Sequence, residues 1–144
     1  LGGMVLGQAI DCHFENQPLS LDQIKILHIN KTAKLIAASL KMGAIITGEK
    51  VLEDKLYDFG IKLGLLFQVQ DDILDVTSNT EQLGKPQGSD QLNEKATYVS
   101  LLGLERAQAK ASELTEEALQ ALQGFSSEAD ILRDLASYIV ARNH

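Results

Sequence analysis

Cysteine, proline and tryptophan are nearly missing from this chain: Cys12 is the sole cysteine, Pro18 and Pro86 are the two prolines, and tryptophan is absent. A single cysteine forbids an internal disulfide and points to a cytosolic, that is cytoplasmic, setting. Cys12 itself is expected to be a small packed side chain, as free cysteines usually are. With no proline between Pro18 and Pro86, nothing of that kind interrupts a helix there. Apolar runs are short of the roughly 18 residues that cross a bilayer, so a membrane span is not expected. Positive charge is scarce too, with 13 Lys and Arg against 20 Asp and Glu, a formal net charge of −7. That balance disfavours nucleic acid or an anionic membrane as partner. It leaves open a small anionic ligand, because a metal ion can bridge two anions. No Ser–His or Cys–His pairing suggests a side-chain nucleophile. The chain starts LGGMVLGQAID, without an initiating Met or a basic leader, and is expected to be a piece of a longer protein.

What is present is ordinary for a soluble globular domain: 144 residues, 44% hydrophobic and 23% charged. Apolar residues recur every three or four positions, and period-two alternation is hard to find, so the chain reads as all-α. The spacing predicts a helix over Gly2–His13, ended by ENQP. Ser20 and Gln23 form a capping-box pattern opening a helix through ILHINK, followed by a second helix over Thr32–Ile46. Glu49–Val76 is the longest helical pattern, and TSNTEQLGKPQGSDQLNEK after it reads as an extended loop. A helix over Thr97–Leu122, bent at Gly103, and an amphipathic tail over Ser127–Arg142 complete the chain. In the tail Ile131, Leu135, Tyr138 and Ile139 form one stripe, expected to face the core. No internal repeat or domain linker appears.

FQVQDDILD, residues 67–75, places three carboxylates in five positions of an apolar segment. At about 100° per residue, Gln68, Asp71, Asp72 and Asp75 share one helical face. Leu65, Leu66, Val69, Ile73 and Leu74 occupy most of the rest. This predicts a central helix whose single polar stripe lines an internal cavity. Asp71 and Asp75 are like charges at i, i+4, and the predicted helix end at Val76 would set them at the negative pole of the macrodipole. A divalent cation relieves both conflicts, and an all-oxygen ligand set suits Mg²⁺, which is commonly shared between one or two carboxylates and a phosphate. The bland reading is a solvated acidic face. An EF-hand beginning at Asp75 fails, with Thr80 where glycine is needed and Pro86 where glutamate is needed. Met4, Gly7, Gln8 and Asp11 make a second stripe, in which Gly7 marks close approach of either a helix or a ligand. Lys85, in the Gly- and Pro-bounded LGKPQGSD, is either a lysine reaching a metal-bound phosphate or a solvated loop residue.

GQAID, the Lys31–Thr32 pair, FQVQDDILD and LGKPQGSD, in this order and spacing, resemble the C-terminal half of a trans-polyprenyl diphosphate synthase, with bacterial farnesyl diphosphate synthases as the nearest type. The likeness runs the length of the chain and includes ATYVSLLGLERA and YIVARN. It implies part of an isoprenoid-synthase helical bundle around a central cavity, usually a homodimer. It also implies a reaction joining an allylic diphosphate (dimethylallyl or geranyl) to isopentenyl diphosphate. By resemblance, Asp71 is the direct Mg²⁺ ligand, with Asp72 and Asp75 nearby or acting through water. Lys31 and Lys85 bind the allylic diphosphate, while Thr32 and Gln68 face the reacting carbons. Gln8 and Asp11 would be cavity-wall residues, and Arg142 would help cover isopentenyl diphosphate.

The family uses two facing aspartate-rich motifs, and this chain has one. Its only arginines are Arg106, Arg133 and Arg142, so the upstream arginines that hold isopentenyl diphosphate are missing. The expectation is therefore a C-terminal portion of one synthase domain, inactive alone, with exposed apolar surface that drives association. A geranylgeranyl diphosphate synthase and a non-catalytic helical subunit are the competing readings.

Overall fold

A computed structural model describes residues 2–14, 17–83 and 96–142. Among these, all regular structure is helical. Seven α-helices follow in order: α1 (Met4–His13), α2 (Leu21–His28), α3 (Lys34–Ile45), α4 (Lys50–Leu83), α5 (Tyr98–Leu102), α6 (Leu104–Ala121) and α7 (Asp130–Ala141). A π-helical turn, Ile29–Ala33, joins α2 to α3, and a 3-10 turn, Ser127–Ala129, leads into α7.

The start of α2 is the predicted capping box. Ser20 Oγ accepts from Gln23 N at 3.3 Å and Gln23 Oε1 accepts from Ser20 N at 2.8 Å, an arrangement worth about 1 kcal/mol. Beyond it, the predicted division between Lys31 and Thr32 does not occur. The wide turn carries the helix through, and α2 and α3 form one interrupted rod. At its far end the chain reverses at Gly48, whose φ of 75° suits glycine, and returns as α4.

α3 and α4 lie antiparallel and unusually close. A Cβ on Gly60 would come within 2.5 Å of Ala37 Cα, and one on Gly64 within 2.4 Å of Ala33 Cα. Each pairing is one turn along from the other in both helices, in opposite directions. The next turn along α4 carries Gln68 to Thr32. The small residues thus set both the spacing of the two helices and the register of their polar groups.

α4 is the central element, as expected. Its Phe59, Leu63, Leu66, Val69 and Ile73 are buried with Ile24 and Leu27 of α2, Tyr98 of α5, Ala107, Ala111, Leu114 and Ala118 of α6, and Ala136 and Ile139 of α7. Gly103, with φ of 82°, makes the predicted bend between α5 and α6. No helix of the described residues is long and apolar enough to cross a membrane.

Three expectations are corrected. α4 continues to Leu83, so Thr77–Leu83 is helix rather than loop; Thr77 bonds back to the carbonyl of Ile73 at 3.0 Å, serving its hydroxyl within the helix. Residues 84–95 of the predicted loop, Lys85 among them, lie outside the described residues. In α7 the packed face is Leu132, Ala136 and Ile139, while Ile131, Leu135 and Tyr138 are exposed. Alanine allows closer approach to the neighbouring helix than the larger stripe would. Cys12 is exposed on α1 rather than packed, because Gly7 and Asp11 are the positions that α1 turns toward the rod.

Candidate functional site

The site begins where α1 crosses the π turn. A Cβ on Gly7 would stand 2.2 Å from the backbone nitrogen of Lys31, so only glycine permits this approach. Of the two readings of Gly7, helix packing is the one realised here. One turn further along α1, Asp11 meets the Lys31 ammonium at 2.6 Å, with side-chain exposures of 11% and 33%. The pair is largely withdrawn from water, where a charge-assisted bond of this kind is stronger than on an open surface. Asn30 is buried in the same turn; its amide donates to Ile26 O and its oxygen accepts from Lys34 Nζ, both at 2.8 Å.

Thr32 reaches the other way. Its hydroxyl donates to Gln68 Oε1 at 2.9 Å, joining the π turn to α4. Gln68 and Asp71 are neighbours at i, i+3, and Asp71 is paired with the guanidinium of Arg142, just past α7. Arg142 also lies over the Phe67 ring, 4.4 Å from its centroid, and donates weakly to Phe67 O at 3.5 Å. Its Nε is buried with no hydrogen-bond partner among the described residues. Asp11, Lys31, Thr32, Gln68, Asp71 and Arg142 therefore form one polar row across α1, the π turn, α4 and the end of α7.

The two adjacent aspartates serve different neighbours. Asp72 Oδ2 accepts from the backbone nitrogen of Tyr98 at 2.7 Å. Burial pushes its carboxyl up to about 6; that hydrogen bond opposes the shift, and Asp75 and Asp71 add to it. Burial likewise raises the Tyr98 phenol to about 12. Asp75 is exposed, and Gln8, also exposed, contacts Cys12 Sγ at 3.6 Å instead of joining the row. Among the described residues the stripe is not fully enclosed: the Asp71 side chain is 38% exposed. Nor do these aspartates end their helix, since α4 runs on to Leu83 and the macrodipole acts within the last turn. The electrostatic conflict that remains is mutual repulsion, and Arg142 answers it at Asp71.

Residues 1–139 match the model of the polyprenyl synthetase family. The chain belongs to that family. It is 46% identical over 145 residues to a chloroplastic geranylgeranyl pyrophosphate synthase of Capsicum annuum, covering 99% of this chain and 39% of that protein. It is 42% identical over 148 residues to the farnesyl diphosphate synthase of Escherichia coli, covering 99% of this chain and 50% of the relative. Among solved structures, a Helicobacter pylori geranyltransferase complexed with magnesium and isoprenyl diphosphate superposes with a TM-score of 0.73 at 45% identity, over 96% of this chain and 46% of that one. A heptaprenyl diphosphate synthase from Staphylococcus aureus superposes with a TM-score of 0.84 at 25% identity, over 98% and 57%. This synthetase chain thus spans about half the length of the curated relatives it matches, and its all-α fold is that of polyprenyl synthases.

The donor set of this synthetase chain fits a hard, water-retaining cation. Asp71 and Asp75 offer carboxylate oxygens only, one turn apart and in contact with solvent, which suits Mg²⁺ held by one or two carboxylates and a phosphate. Among the described residues no three His, Cys, Asp or Glu side chains converge into a closed cage. Sequence reasoning missed Phe67 as the platform for Arg142 and Gln70, buried at 7% exposure, whose amide donates to Val140 O at 3.4 Å. The second glutamine of FQVQDD, set among apolar neighbours, was the available signal.

Proposed function

We propose that this chain is the C-terminal half of a prenyl diphosphate synthase domain that joins an allylic diphosphate to isopentenyl diphosphate. The observation that carries the reading is the row from Lys31 through Thr32 and Gln68 to Asp71, held in register by the Gly60–Ala37 and Gly64–Ala33 approaches. It sets a cation, two oriented dipoles and a carboxylate side by side. Lys31 and Lys85 bind the allylic diphosphate. Asp71, with Asp75 beside it, would hold Mg²⁺, while Asp72, on the adjoining flank, is engaged by the Tyr98 amide. When bound, the ion neutralises the departing diphosphate. Ionisation leaves positive charge on the allylic carbon, and the oxygens of Thr32 and Gln68 are dipoles fixed beforehand to stabilise it. The double bond of isopentenyl diphosphate then attacks that carbon, and loss of a proton completes the product. Asp11 steadies the Lys31 ammonium, Gln8 contributes to the outer wall, and Arg142 moves from Asp71 toward the second diphosphate.

Farnesyl diphosphate is the product we favour, on the resemblance of FQVQDDILD and LGKPQGSD to bacterial farnesyl diphosphate synthases and the 42% identity to the Escherichia coli enzyme. Geranylgeranyl diphosphate is the second reading, supported by the 46% identity to the Capsicum annuum enzyme. The chain spans about half the length of its relatives, which supports a reading in which the facing half of the site is supplied by residues outside these 144. The test uses labelled isopentenyl diphosphate with geranyl diphosphate and Mg²⁺. The chain alone yields no prenyl product; joined to the upstream half of the Escherichia coli relative it does, and Asp71→Asn in that chimera lowers kcat by roughly 10²-fold or more. Turnover by the isolated chain would overturn the half-site reading, and a folded chimera without activity would overturn the assignment.

A further inference from the structure

α5 is a single turn of five residues, too short to hold itself together, because the first turn of a helix fixes several dihedrals for one hydrogen bond. Thr97 and Ser100 cap each other reciprocally, which covers the Ser100 amide and leaves that of Tyr98, the first helical residue, to be satisfied from outside. Asp72 satisfies it at 2.7 Å. Tyr98 is buried, 2% exposed, and its ring lies 5.7 Å from that of His28, tilted by 33°. His28 is buried as well, and the residue after it begins the π turn that bears Lys31 and Thr32.

We infer that Asp72 is a positioning residue: its carboxylate anchors α5 to α4 and, through Tyr98 and His28, braces the π turn so that Lys31 and Thr32 stand opposite Gln68 and Asp71. α4 and the π turn are thereby joined twice, directly through Thr32–Gln68 and indirectly through Asp72. About 100° round the helix from Asp71, Asp72 faces a backbone amide while Asp71 faces a cation. The adjacent carboxylates divide the work, one toward ligand and one toward scaffold. Only the importance of Lys31 and Thr32 rests on the function proposed above; the brace does not.

The experiment is amide hydrogen exchange on the 144-residue chain. In Asp72→Ala the Tyr98 amide exchanges at least tenfold faster and those of Lys31 and Thr32 lose protection, while α6 is unchanged. Asp72→Asn, whose amide oxygen accepts the same bond, restores both. A Tyr98 amide as protected in Asp72→Ala as in the wild type overturns the brace, and so does an Asn variant that behaves like Ala. Should the Ala variant fail to fold, the Asn variant decides by the same criterion. A second arm follows stabilisation of the chain by Mg²⁺ with inorganic diphosphate. Asp71→Asn abolishes it and Asp72→Asn leaves its Mg²⁺ dependence unaltered; an equal loss in both counts against the brace. If the wild type shows no such stabilisation, the proposed function is what fails, and hydrogen exchange still decides the role of Asp72.

Discussion

At residue scale, Asp72 shows how one carboxylate is pulled in two directions. Burial favours its protonated form, and the Tyr98 amide favours the ionised one; burial dominates, so the folded-state value of about 6 lies above the ordinary 3.8. The folded chain therefore binds this proton more readily than the unfolded chain. Its contribution to stability is present in full below the ordinary value and is lost as pH rises through about 6. Urea unfolding followed from about pH 3 to about pH 7 checks this: the wild type loses stability relative to Asp72→Asn as pH rises from the ordinary 3.8 to about 6, and the difference levels off below and above that window. A parallel pair of curves would mean the carboxyl is not perturbed. Conflict at FQVQDDILD was legible in the residues themselves, because three carboxylates on an apolar helix demand an explanation. What was not legible was its resolution. Arg142 comes from 71 positions away, and no local pattern announces that it pairs with Asp71.

At the scale of elements, the capping box at Ser20 and the bend at Gly103 were readable because their chemistry is local. Three misreadings share another cause. The π turn keeps helical φ and ψ at its flanks, so the sequence carries no breaker there. α4 passes through Thr77 and Leu83 because central packing upstream extends a helix that local propensity would stop. The α7 stripe was misassigned because large apolar residues advertise themselves, whereas the packing face relies on Ala136. Small residues hold equal weight at α3–α4. Gly64→Ala is expected to destabilise the chain by about 1–3 kcal/mol through overpacking against Ala33. Gly43→Ala, where a Cβ meets nothing within 4 Å, is expected to stabilise by about 0.4–1 kcal/mol. Thermal or urea unfolding of the two variants measures the contrast. Equal effects would show that the helices can separate to admit the methyl group.

For the molecule as a whole, the surface carries much unshielded apolar area. Ile46 is 87% exposed, Ile131 72%, Val51 70% and Tyr138 65%, a density that normally signals contact with a partner. The chain is expected to associate with itself in sedimentation and to bind an apolar dye. Ile131→Lys together with Tyr138→Lys lowers both readouts if the outer side of α7 takes part. A monodisperse, dye-negative wild type would show these side chains to be tolerated singly in water.

The wide turn at Ile29–Ala33 also has a bearing on how such chains vary. A helix that has accommodated one surplus residue has a place where length can change without rotating everything downstream. Trimming one position there would tighten the coil, leave α3 against α4 through Ala37, and swing the Thr32 hydroxyl away from Gln68. Foldability and chemistry are thus separable at this one point in the rod, and a deletion there would uncouple them.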